Sequence, residues 1–230
     1  MYALYIANKN YSSWSLRPWV LMEALGIPFE ERLVPFGHGP HGHDFRSFSP
    51  SGKVPCLHDG ATVVWDSLAI VEYLAEHHAG VWPSGKTERA FARSAAAEMH
   101  SGYTTLRRTC GMTCGLRVRL HRIDADLQGD LQRLQAVWQD GLSRFGGPFL
   151  AGASFGAVDA FFAPVAFRIQ TYGLELGRPA MDYAARLLGL PAMQRWYEAA
   201  LAETWRDAEH DREASAAGTV LADLRRAAGP

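Results

Sequence analysis

The chain has 230 residues, 48% of them hydrophobic and 20% charged, and a formal net charge of -1 at pH 7. That length suits one large or two small globular domains, and the neutral balance argues against a nucleic-acid partner, which needs a basic surface to displace counterions. No apolar run approaches the roughly 20 residues of a membrane span, and the opening MYALYIANK has neither the basic start nor the long apolar core of a signal peptide.

From the N-terminus, YALYIA predicts a short strand. SLRPWVLMEALGI follows with Leu16, Val20, Leu21, Ala24 and Leu25 at helical spacing, and Gly26 is a plausible stop. FEERLVPF reads as a second strand, then a Gly/His-rich stretch intervenes. VPCLH and TVVW are two further strands, with the dipeptide DG between them as a hairpin signal. SLAIVEYLAEHH completes the unit as an amphipathic helix. The order is β-α-β, an irregular segment, then β-β-α, over residues 1–79.

A Gly/Pro/Ser-containing linker at 80–87 separates this from residues 88–230, where strand signals stop. ERAFARSAAAEMHSGYTTLRR, DADLQGDLQRLQAVWQDGLSRF, AVDAFFAPVAFRIQTY, MDYAARLLG and PAMQRWYEAALAETW all carry helical spacing, with Leu127, Leu131, Leu134 and Trp138 on one stripe. The residues from about Asp211 are Ala-rich and polar and read as frayed. An α/β domain followed by an all-α domain is the predicted architecture.

Three segments of the first domain point at one ligand. In SSWSLR, three serines crowd the start of a helix, where one would suffice as a cap. In GKVPCL, Pro55 heads a strand, which suits an edge, a bulge or a cis peptide. In VVWDSLAI, Asp66 and Ser67 stand where strand gives way to helix. Ser67 reads as an N-cap on its own, yet a helix N-terminus also receives carboxylates, and Asp66 beside it suits an ammonium. The pair fits an amino-acid zwitterion.

Taken in order, these motifs resemble the glutathione transferase family, over nearly the whole chain. The resemblance implies a thioredoxin-like first domain and an all-helical second domain. FLAGASFGAVDAFFAPV resembles the family's capping-box region, with Asp159 as the acid and Gly156 where the capping hydroxyl usually stands, so the box is half made. It further implies that Pro55 is cis, that Val54 presents its backbone to the cysteinyl part of glutathione, and that Asp66 and Ser67 hold the γ-glutamyl end. Lys53 is placed to reach a glutathione carboxylate, a solvated lysine being the alternative. The opening serines resemble the serine-using classes, above all a zeta-like pattern, which assigns Ser12 to the thiol, with Ser13 as the alternative and Ser13 or Ser15 as the helix cap. Trp14 stands where the zeta pattern has a cysteine. The implied protein is a cytoplasmic homodimer in a detoxifying role, using glutathione as co-substrate on a small electrophile. A glutathione-dependent isomerase of the maleylacetoacetate type and a non-catalytic binding module are the other readings.

The electrophile pocket is expected between the domains, with Met99, Tyr103 and Arg107 at i, i+4 and i+8 on one helix face; a core role for the first two is the alternative. Arg17 reads as a brace between the first helix and the second domain. GHGPHG, residues 37–42, matches a dinucleotide fingerprint but contains Pro40 and no helix follows, so it reads as a loop beside the glutathione carboxylates. His38, His41 and His43 lack a completing carboxylate or cysteine, and no metal site is expected. Cys56, Cys110 and Cys114 lack C-x-x-C spacing and read as buried thiols in a reducing compartment.

Overall fold

The computed structural model describes residues 1–37 and 44–225. A four-stranded sheet organises the first domain: β1 (Tyr2–Ile6), β2 (Phe29–Leu33), β3 (Cys56–Asp59) and β4 (Thr62–Trp65), in the order β2-β1-β3-β4. β2 runs parallel to β1 and the other neighbours pair antiparallel. β1 is central and buries Leu4 and Ile6, whereas β2 exposes Glu30, Glu31 and Arg32, charges that suit an edge strand. Gly60 (φ +57°) and Ala61 make the two-residue turn between Asp59 and Thr62, so Asp59 belongs to the strand rather than to the turn.

Helix α1 (Ser13–Leu25) crosses from β1 to β2 and buries Leu16, Val20 and Leu21, while Ala24 faces solvent. It ends on Gly26 in the left-handed region at φ 66°, a conformation that costs glycine least. Pro18 lies in the second turn of α1 and removes the N–H that would reach the carbonyl of Trp14. Helix α2 (Ser67–His77) packs beside α1 and buries Ile70, Val71 and Leu74.

Residues 78–85 carry no helix or strand. Beyond them lie α3 (Lys86–Ser101), α4 (Thr104–Thr109), β5 (Leu116–Leu120), α5 (Ala125–Phe145), α6 (Ala157–Tyr172), α7 (Arg178–Leu188), α8 (Pro191–Ala202), α9 (Ala208–Ala217) and β6 (Gly218–Asp223). The core of this domain is α6, which is buried on nearly every side and contacts α1, α3 and α7. Leu127, Leu131, Leu134 and Trp138 of α5 are buried as one stripe. Asp159 is fully buried in α6: its Oδ2 accepts from the Gly156 N–H at 3.0 Å, and its Oδ1 from the Leu150 N–H at 3.0 Å and the Tyr183 hydroxyl at 2.7 Å. The box is made from the acid's side alone, since Gly156 has no hydroxyl to return.

Three expectations are corrected. The segment 88–108 is two helices, because Tyr103 takes a left-handed backbone (φ 52°) between α3 and α4. The second domain is helical with a small sheet, since LRVRL buries Leu116 and Val118 by period-two alternation and pairs antiparallel with β6. Residues 211–225 are not frayed. They complete α9 and form β6, fastened where Arg225 donates to Asp211 Oδ1 and to the Tyr11 hydroxyl, both at 2.7 Å. Among the described residues, no helix is long and apolar enough to cross a membrane.

Candidate active site

The loop between β1 and α1 is held from both sides. The Asn8 carbonyl accepts from the N–H groups of Tyr11 (3.1 Å) and Ser12 (2.9 Å), which turns the chain sharply into the helix. From the second domain, Glu203 accepts the Lys9 N–H at 2.6 Å and the Asn10 N–H at 3.2 Å, and the Cys114 N–H donates to the Asn10 carbonyl at 3.0 Å. Burial pushes the Glu203 carboxyl up to about 7. Tyr11 donates its hydroxyl to Asp211 Oδ1 at 3.0 Å. The loop therefore sits rigidly between the domains, and Ser12 follows it at the N-cap position of α1.

None of the three serines caps α1 with its side chain. Ser12, 5% exposed, donates its hydroxyl to Ser15 Oγ at 2.7 Å, and Ser15 Oγ also accepts the Ala7 N–H at 3.3 Å. Ser15 thus ties the end of β1 to α1. Ser12 and the half-buried Ser13 both line a cavity of about 620 Å3 between the domains. A second cavity of about 420 Å3 adjoins it, lined by Pro55, Trp65, Asp66 and Ser67, and Trp14, Lys53 and Val54 line both. The sequence-predicted residues Ser12, Ser13, Lys53, Val54, Pro55, Asp66 and Ser67 thus converge on one continuous cleft. The Val54–Pro55 bond is cis.

Asp66, not Ser67, is the N-cap of α2: its Oδ1 accepts the Leu68 N–H at 2.8 Å. Its φ of 76° is unusual for a residue with a Cβ, a strained geometry of the kind that concentrates at ligand sites. The carboxylate is half exposed, with Oδ2 3.6 Å from His100 Nε2. Ser67 is buried, and its Oγ accepts from Arg17 Nη1 at 3.4 Å.

Of the expected electrophile-pocket residues, only Arg107 reaches the larger cavity. Met99 is fully buried in the core, and Tyr103 is buried with its hydroxyl donating to Glu98 at 3.0 Å and its ring edge-on to Phe162. The break between α3 and α4 turns Tyr103 out of the face that an unbroken helix would give it. Arg17 braces the domains as expected, lying 4.1 Å from the Trp14 ring centroid and 4.9 Å from that of Phe161 on α6. Burial, then the nearby Arg168 and Arg107, lower its pKa to about 9. Arg168 is lowered to about 10, chiefly by burial, and gives its Nε to the Cys110 carbonyl at 2.8 Å. Among the described residues, none of these three guanidinium groups has a carboxylate oxygen within ion-pair distance.

Sequence reasoning missed Arg168, Ser15's tie to Ser12, Glu203 and His210, which also lines the larger cavity. A lone arginine within the apolar run AFFAPVAFRIQTY is a signal that was available; nothing in the local sequence marks Glu203 or His210. His38, His41 and His43, and all but Gly37 of GHGPHG, lie outside the described residues. Cys110 and Cys114 are buried free thiols, and burial pushes Cys110 up to about 12.

The fold and cleft define a two-domain thioredoxin-like protein, and the comparisons name its family. The glutathione S-transferase N-terminal domain model matches residues 11–77, and the C-terminal domain model matches residues 94–199. The chain belongs to the glutathione transferase family. It is 28% identical over 211 residues to a probable maleylacetoacetate isomerase of Vibrio cholerae, covering 84% of this chain and 94% of that one. It is 29% identical over 177 residues to human glutathione S-transferase theta-1, covering 67% and 69%. The theta-class enzyme of Xanthomonas axonopodis pv. citri, solved with glutathione bound, superposes with a TM-score of 0.63 at 25% identity, over 85% of this chain and 96% of that one.

Proposed function

We propose that this protein is a glutathione-using enzyme that holds the thiolate with the hydroxyl of Ser12 and transfers the sulfur to a small electrophile. The observation that carries this reading is the position of Ser12, at the start of α1, on the wall of the larger cavity and beside the residues suited to a peptide with a zwitterionic end. Asp66 suits an ammonium, the exposed Lys53 a carboxylate, and Val54 a main-chain partner. For Ser12 to donate to sulfur, its bond to Ser15 reverses: Ser15 turns its own O–H to Ser12 and still accepts from Ala7. No heavy atom need move, and the chain of hydroxyls polarises the terminal donor.

A second reading, isomerisation, draws on the name of the Vibrio relative and on Arg107 and Arg168, which suit an acidic or polarised substrate. A binding module without turnover is the alternative of another class. Retention on immobilised glutathione, followed by turnover of a nitro-activated aryl chloride, separates these. Retention without turnover of any electrophile favours the module, and no retention removes glutathione from the reading.

Asp66→Ala is expected to act on binding. Loss of the ammonium's partner should raise KM for glutathione with little change in kcat. An unchanged KM would mean that the glutamyl end is held elsewhere. We further propose a homodimer, as is usual in the family; light scattering at micromolar concentration should give about twice the chain mass of 25.4 kDa. A value near the single-chain mass would refute it.

A further inference from the structure

Helix α9 brings a histidine to the larger cavity in a defined orientation. His210 Nδ1 lies 2.9 Å from Asp207 Oδ1, and Asp207 also accepts the His210 N–H at 3.1 Å. The imidazole stacks against two rings: its centroid is 5.1 Å from that of Tyr11 and 5.3 Å from that of Phe36, with interplanar angles of 29° and 25°. Three contacts from different parts of the chain fix this ring. With Nδ1 held by Asp207, Nε2 is the nitrogen left for the cavity. Among the described residues that line the cavity, His210 is the one histidine, and it shares the wall with Ser12, Arg107 and Arg168.

A substitution at an aryl halide needs no proton, because the leaving halide carries the charge away. Addition of a thiolate to a conjugated carbonyl does need one. The sulfur lone pair forms the S–C bond at the β-carbon, the C=C pair moves to form the enolate, and the C=O π pair passes to oxygen. That oxygen's charge must be held and the α-carbon protonated. Arg107 and Arg168, without a carboxylate at ion-pair distance among the described residues, suit the first task, and an imidazolium Nε2–H suits the second. The aromatic wall of Trp14, Phe36 and Phe45 suits an apolar body.

We propose that His210, oriented by Asp207, is a catalytic proton donor to the α-carbon when the thiolate adds to an α,β-unsaturated carbonyl compound. This rests on the reading of Ser12 as thiolate donor. The proton lost by the thiol goes to water, water reprotonates His210, and the net reaction is addition of S–H across C=C.

The test compares two electrophiles in the full chain: a phenyl-substituted α,β-unsaturated ketone and a nitro-activated aryl chloride. His210→Phe keeps a ring for the stack and removes both nitrogens; His210→Gln supplies a donor in reach of the Nε2 position. The ratio of kcat/KM for the ketone to that for the chloride should fall about 100-fold in His210→Phe, and less in His210→Gln. A ratio unchanged in both variants, with both rates lowered together, would assign His210 a structural role and overturn the proposal. A parent enzyme active on the chloride and inactive on the ketone would overturn it while leaving the thiolate reading intact. Inactivity on both, with Ser12→Ala no different in thiolate titration, would defeat the thiolate reading and this proposal together.

Discussion

Replacing Ser12 with Ala is expected to raise the pKa of the bound glutathione thiol by about one to two units while leaving affinity largely intact. A free thiol near pKa 8.5 is only a few per cent ionised at neutral pH. A hydrogen bond to a charged acceptor contributes roughly 1.5–3 kcal/mol, or about one to two pKa units. The N-terminus of α1, behind the same spot, adds a few tenths to about 1 kcal/mol, and this survives the substitution. At pH 7 the variant should hold about a tenth of the parent's thiolate. The remaining thiolate is more nucleophilic, with a Brønsted slope of about 0.4–0.5, so turnover should fall only about 2–8-fold at pH 7, cross the parent's near about pH 8 and exceed it at higher pH. Ultraviolet titration of the thiolate measures the shift directly. No shift in Ser12→Ala, with a shift in Ser13→Ala, would pass the role to Ser13.

Stability should fall as pH rises from 6 to 8, and Glu203→Gln should flatten that fall. Glu203 is raised from 4.5 to about 7 in the fold, chiefly by burial. Between those values the folded state binds more protons than the unfolded chain, so this contribution is complete below about 4.5 and is lost as pH rises through about 7. For a single group the loss between pH 6 and 8 is about 1–1.5 kcal/mol. Asp159 is also raised, to about 6, so its window closes lower; the lowered carboxyls Glu98 and Asp223 act lower still, with the opposite sign; His100, lowered by burial, opposes Glu203 in this window and cancels in the comparison of parent with variant. Urea unfolding at pH 6 and 8 isolates Glu203. Parallel curves for parent and Glu203→Gln would show that this carboxyl is ionised throughout. The result bears on activity, because Glu203 grips the two residues that lead to Tyr11 and Ser12.

The first domain was legible because its signals are local. Gly26, the DG dipeptide and the helical spacing of Leu16, Val20 and Leu21 each act within a few residues. The convergence of Ser12, Val54, Pro55, Asp66 and Ser67 on one cleft was legible only through the order of motifs, since no spacing rule joins residue 12 to residue 67. What escaped depends on distant partners. Thr219 and Val220 become a strand by pairing with Arg119 and Val118, about a hundred residues earlier. The alternation in LRVRL was present but too short to outweigh the helical text around it. Gly102 was a warning of the break before Tyr103, and the continuous i, i+4 pattern concealed it. His210 acquires its place from Tyr11 and Phe36, at the other end of the chain. Asp66 rather than Ser67 caps α2 because a positive φ turns its carboxylate back over the first turn, which composition cannot indicate.

The bonds that join Tyr11 to Asp211 and Arg225 set an order of events during synthesis. A nascent chain elongates at about 5–20 residues per second, and N-terminal domains generally fold first. The sheet and its two helices are therefore complete in sequence long before α9 and β6 are made, a delay of roughly 7–30 s at those speeds. Throughout that interval the loop before Ser12 lacks Glu203, Asp211 and Arg225, and the wall that carries His210 does not exist. The proposed thiol-activating chemistry is thus withheld until α9 and β6 have been made, and a nascent chain tethered before α9 presents a half-built cleft.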